Sequence, residues 1–208
     1  MRNRIVSVGG WLTLVFAVTV MAGCSSERVS TQGATAGGTG SDHFRSVAYG
    51  TDERDTLRVK TDSARGRHWV LGLNRMRVYD TATRKLIRQI ALPSWSVVQF
   101  VCMPDLAIDG AGSVFVASNV QPRLWRIDAD SFELTEHEIK LQGKEQWDIG
   151  FGALAFSANG ALYGMMSAGG SVWKIDVAGS SASLVERTHP PLTGCALTSQ
   201  LLNSFERS

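Results

Sequence analysis

One spacing constrains this chain more than any other feature. Asp80, Asp128 and Asp176 recur at one constant interval, 48 in the numbering, and each closes a similar stretch. The first is Trp69-Val-Leu-Gly-Leu-Asn followed by Arg77-Val-Tyr-Asp80. The second is Val114-Phe-Val-Ala-Ser-Asn119 followed by Trp125-Arg-Ile-Asp128. The third is Leu162-Tyr-Gly-Met-Met-Ser167 followed by Trp173-Lys-Ile-Asp176. Upstream, Leu106-Ala-Ile-Asp-Gly-Ala-Gly112 matches Leu154-Ala-Phe-Ser-Ala-Asn-Gly160 at the same interval, with a weaker copy over Leu57–Gly66. Such a period means that one supersecondary unit is used repeatedly and buries its apolar face against its neighbours.

Each unit reads as four short strands. The first ends in a glycine turn such as Asp109-Gly-Ala-Gly112. The second and third are apolar on both faces, as strands are when sheets stack on either side. The fourth alternates with charge, as in Lys85–Ile90 and Glu133–Lys140, which protects an exposed sheet edge from pairing with another chain. The expected fold is all-β: antiparallel four-stranded blades of a small or partial β-propeller. Tyr79-Asp-Thr-Ala-Thr-Arg-Lys-Leu86 resembles a segment of YVTN-type propellers. Gly152–Tyr163 with Val172–Asp176 is similar to blades of other bacterial extracytoplasmic propellers. These motifs imply blade geometry, which enzymes, binding proteins and scaffolds share.

The predicted blade cores are 57–92, 105–141 and 153–187, with a further first strand at 193–200. Residues 57–208 hold little more than three such units, whereas closed propellers typically use about four to eight blades. Three arrangements follow. Segments 43–60 and 188–208 pair into a fourth blade, the array stays open, or several chains complete a ring.

The N-terminal region reads as an address. Arg2 and Arg4 precede an apolar run densest over Trp11–Met21. That run is about half the length needed to cross a bilayer, so it suits a signal-peptide core better than a transmembrane helix. It ends Met21-Ala-Gly-Cys24. This resembles the bacterial lipobox, with Met in place of the usual Leu. The resemblance implies that residues 1–23 are a lipoprotein signal peptide with a helical core. It also implies that Cys24 becomes the N-terminus, carrying a thioether-linked diacylglycerol and an N-acyl chain such as palmitate. Several acyl chains anchor stably where one is marginal. Ser25 and Ser26 follow, and no Asp provides an inner-membrane retention signal, which points to the outer membrane of a bacterial envelope. Residues 24–42 are rich in Ser, Thr and Gly and form a flexible tether of about 20–25 Å mean span. The folded domain is then 43–208.

Charge excludes one class. The chain has 21 basic and 19 acidic residues, and loss of Arg2 and Arg4 would leave 19 of each. A nucleic-acid partner is not expected, and membrane contact is expected through lipid on Cys24. Cys102 and Cys195 remain, an even number in an oxidising compartment, so a disulfide is expected, with two buried thiols as the alternative.

No catalytic constellation stands out. His43, His68, His137 and His189 lie at no zinc-like spacing, and no Gly-x-Ser-x-Gly, phosphate loop or HExxH is present. No catalytic residue, metal or cofactor is expected. The repeated aspartates are expected to cap turns. Trp95 and Trp147 lie in the longer connections between units. They either close their blades or present a ligand or partner face. Trp125 and Trp173 hold equivalent positions and should pack between blades. The sequence therefore suggests a lipid-anchored binding or interaction module with a protein partner or self-association. A metal-dependent propeller hydrolase or lactonase and a truncated propeller relic are the alternatives.

Overall fold

The computed structural model describes residues 55–98, 102–187 and 195–207. The expected signal peptide 1–23, Cys24, the expected tether 24–42, His43 and His189 lie outside them. Thirteen strands and one helix are described. The first blade contains β1 (Thr56–Asp62), β2 (Arg67–Gly72), β3 (Arg75–Asp80) and β4 (Leu86–Ala91). The second contains β5 (Leu106–Ile108), β6 (Val114–Ala117), β7 (Arg123–Ile127) and β8 (Leu134–Glu138). In the third, β10 (Phe151–Phe156), β11 (Leu162–Met166), β12 (Val172–Asp176) and β13 (Ser181–Glu186) are joined by β9 (Lys140–Leu141). Neighbours pair antiparallel in chain order, except that β9 adds parallel to β13. The first strand β5 adjoins both β1 and β10. This is a partial propeller of three blades, as the repeat predicts.

The period of the hairpin turns has a physical cause. Asp80 Oδ1 accepts the amide of Thr83 at 2.6 Å, Asp128 Oδ1 that of Ser131 at 2.9 Å, and Asp176 Oδ1 that of Gly179 at 3.0 Å. One residue further on, Arg84, Phe132 and Ser180 take positive φ of 58°, 58° and 49°. This left-handed residue closes the turn into β4, β8 and β13 and recurs at the interval of the aspartates. Asp109 and Ser157 likewise accept the amide four residues ahead, from Ser113 and Ala161.

Period-two alternation sends successive side chains to opposite faces of each blade. Trp69, Leu71, Met76, Val78 and Ile90 of blade one meet Leu106, Val114, Val116, Trp125 and Ile127 of blade two. The other face of blade two, with Ala107, Phe115, Ala117 and Leu124, meets Phe151, Leu154, Leu162, Met166, Trp173 and Ile175 of blade three. Trp125 and Trp173 are fully buried between blades. The Trp125 N–H donates to Pro93 O at 2.9 Å and the Trp173 N–H to Ser171 Oγ at 3.1 Å.

Two local readings are corrected. The charged segment Glu133–Lys140 is not one strand. Buried Ile139 donates its amide to Pro122 O, and the chain then crosses to blade three as β9. The further strand expected at 193–200 is also not formed by its described part. Residues Ser199–Phe205 are helix α1, with Thr198 as N-cap accepting the Leu201 amide at 3.3 Å. Leu201, Leu202 and Phe205 recur at helical spacing, and Leu202 is buried. The described tail thus adds no strand to a fourth blade, and β1 belongs to the first.

Candidate functional site

The ends of the first strands frame a cleft of about 260 Å³. Lys60 and Thr61 of β1, Ala107 and Ile108 of β5, and Leu154, Ala155 and Phe156 of β10 line it. Short side chains at Ala107 and Ala155 leave the space open, while Ile108, Leu154 and Phe156 give its wall an apolar part beside Lys60 and Thr61. Phe156 is held edge-on to Phe115 at 5.4 Å between centroids. It also borders a second cleft of about 280 Å³ shared with Ser157, Ala158, Ser199, Leu202 and Asn203.

Asp105, just before β5, ties the three blades together beside this cleft. Its carboxylate lies 3.7 Å from Arg58 of β1 and accepts the Leu154 amide of β10 at 3.2 Å, while its carbonyl accepts the Ala117 amide. Sequence reasoning missed it. The available signal was a break in the repeat, since the position one repeat interval later is Ala153.

The two connections differ. In the first, Trp95 is buried in the core between blades one and two and donates its indole N–H to Ala117 O at 2.7 Å. Asn119, fully buried, clamps the same connection: Nδ2 donates to Val98 O at 2.6 Å and Cys102 O at 3.3 Å, and Oδ1 accepts the Val98 amide at 3.2 Å. Ser118 Oγ donates to Ser96 O. Trp95 therefore packs its blade and presents no face to a ligand. In the second connection, Trp147 is 54% exposed. Its neighbour Asp148 is buried, accepting the Ser171 hydroxyl and the Glu145 amide and pairing with Arg187 at 3.2 Å. This pinning leaves the Trp147 ring outside. The structure does not bring the two tryptophans into one site.

Cys102 and Cys195 form a disulfide, with Cα atoms 5.5 Å apart. His68 bonds Thr61 Oγ1 at 2.8 Å, and burial with nearby Arg84 lowers its pKa. Burial and Arg126 lower that of His137. Among the described residues no three His, Cys, Asp or Glu side chains converge to hold a metal, and no helix is long and apolar enough to cross a membrane.

No protein-family model and no curated protein matches the chain. Among solved structures, the chain is similar to virginiamycin B lyase from Staphylococcus aureus: 17% identity, 66% of this chain, 41% of that one, TM-score 0.46. An auxiliary nutrient binding protein from Bacteroides thetaiotaomicron matches at 13% identity over 64% of this chain and 30% of that one, TM-score 0.43. U3-55K matches at 15% over 65% and 42%, TM-score 0.42. The chain spans less than half of each. The class is therefore defined by the blades themselves: an all-β partial propeller.

Proposed function

We propose that this is a lipid-anchored extracytoplasmic binding module held at the outer membrane of a bacterial envelope. Cys24 carries the lipid, residues 24–42 are the tether, and the three-blade domain engages a protein partner or a further copy. The observation that carries this reading is the Cys102–Cys195 disulfide. Such bonds persist in secreted and envelope proteins and are rare in reducing cytosol, which agrees with the signal and lipobox residues. The contact surface is the cleft at the first-strand ends, where Lys60 and Thr61 stand beside Ile108, Leu154 and Phe156 and Lys60 offers an ammonium to an acidic group.

The test expresses the full chain in a bacterium fed an alkyne analogue of palmitate, followed by envelope fractionation and amine-directed cross-linking in intact cells. The reading expects label on the wild type, none on Cys24→Ala, sedimentation with the outer membrane, and a reproducible cross-link through Lys60. An unlabelled, soluble wild type would overturn the anchor. A cross-link pattern unchanged by Lys60→Ala would overturn the contact surface.

A further inference from the structure

The outer face of blade three repeats the face of blade two that receives a blade. Carried forward by one repeat interval, Ala107, Phe115, Ala117 and Leu124 become Ala155, Tyr163, Met165 and Val172. On blade two these residues meet β10 and its sheet. On blade three the corresponding surface meets α1. Leu202 is buried with Ala153, Tyr163, Met165 and Val172, while Ala155, Leu197 and Phe205 pack at the margin. The same shift carries β10, Phe151–Phe156, onto positions 199–204, nearly the span of α1. A ring contact recurs one residue off that register: Phe115 meets Phe156 at 5.4 Å, and Tyr163 meets Phe205 at 5.9 Å.

We propose that α1 is a surrogate blade. It stands at the sequence position of a fourth blade's first strand and fills that blade's seat. It thereby seals an apolar face that would otherwise take another chain. A sheet face left open invites association. The Cys102–Cys195 bond fastens this cap. Cys102 is itself part of the seat, so the bond joins the residue leading to the helix to the surface that the helix covers. The second cleft, between Phe156–Ala158 and Ser199, Leu202 and Asn203, is the seam between cap and blade.

Adjacent methionines provide the test. Met165 faces the α1 seat and Met166 faces blade two, and both are fully buried. The full chain in detergent is exposed to peroxide, and sulfoxide at each methionine is followed by fragmentation mass spectrometry, with light scattering on the same samples. Leu202→Asp should raise Met165 oxidation on the order of tenfold, since exposure governs susceptibility. It should leave Met166 protected and increase the scattering mass. Leu202→Met should behave as wild type. Protection of Met165 in Leu202→Asp would show that the seat has another cover. Equal oxidation of both methionines would show that α1 belongs to the blade's core instead of capping it. An exposed Met165 with no gain in mass would overturn the sealing role.

Discussion

Removing the disulfide gives the most quantitative test of how the tail is held. The bond joins residues 93 positions apart. In the unfolded chain, a loop of that length loses closure entropy worth about 4.6 kcal/mol at 25 °C. The figure is an upper bound, because real denatured chains are already partly compact. Cys102→Ala with Cys195→Ala removes the bond without burying a new hydroxyl at the fully buried Cys102 position. For a folded region of this size, about 1 kcal/mol shifts Tm by roughly 2–4 °C. The double variant should therefore melt on the order of 10 °C below wild type. Melting is followed by intrinsic tryptophan fluorescence on the full chain in detergent. Reduced wild type should melt close to the variant. A loss below about 1 kcal/mol would refute the reasoning, since the bond would then close no loop that the unfolded chain is free to open.

Gly164→Ala should destabilise by about 1–3 kcal/mol, because its Cβ would lie 2.5 Å from Phe151 Cδ1 and 2.9 Å from Ile175 Cδ1; urea unfolding measures it. Asn119→Ala strips three hydrogen bonds from the first connection and should cost about 2–4 kcal/mol at roughly 1 kcal/mol or more per bond; an unchanged urea midpoint would count against the clamp. Arg84→Gly relieves an exposed residue at φ 58° and should raise stability by about 0.5 kcal/mol, the left-handed cost less the glycine entropy. Hydrogen bonds from Thr83 to Asp80 and from Ser131 to Asp128 depress both carboxyl pKa values below the ordinary 3.8. A depressed folded pKa gives stability above the unfolded value that is lost as pH falls through the folded one. Thermal melts should therefore fall below about pH 4, and Asp80→Asn with Asp128→Asn should flatten that slope.

The repeat was legible because it is written in local chemistry. A side-chain carboxylate meeting an amide three residues on, and a left-handed residue after it, need only neighbours in sequence. The same holds for the alternation that put Trp125 and Trp173 between blades. What escaped was nonlocal. β9 exists because Lys140 and Gln142 find partners at Ser180 and Ala182 across a blade boundary, and nothing in Lys140–Leu141 announces a parallel edge. Asp105 matters through Arg58 and Leu154, one on each flanking blade. The tail stretch 193–200 reads from its sequence as a further first strand. The helix is decided by Leu202 and Phe205 docking on a face that β10, β11 and β12 build well before it in the chain.

These nonlocal contacts also decide where a binding role has room. Trp95, Asn119 and Ser118 absorb the first connection into the core, and Asp148, Arg187 and Ser171 pin the second. The repeated aspartates are engaged in their own turns. The faces that stack blades are filled on both sides of blade two, and α1 fills the outer face of blade three. Within the described residues, the apolar and basic groups left toward solvent include the first-strand ends around Lys60 and Phe156 and the exposed ring of Trp147. A partner that uses the blades would meet the first-strand ends, where three separate backbones converge. One that uses Trp147 would meet a single loop. Of the two, the first-strand ends are the more rigid platform, because Asp105 bonds across all three blades. Asp105→Asn would remove the charge facing Arg58 and weaken the acceptor of the Leu154 amide in the cleft wall, and should lower the urea midpoint.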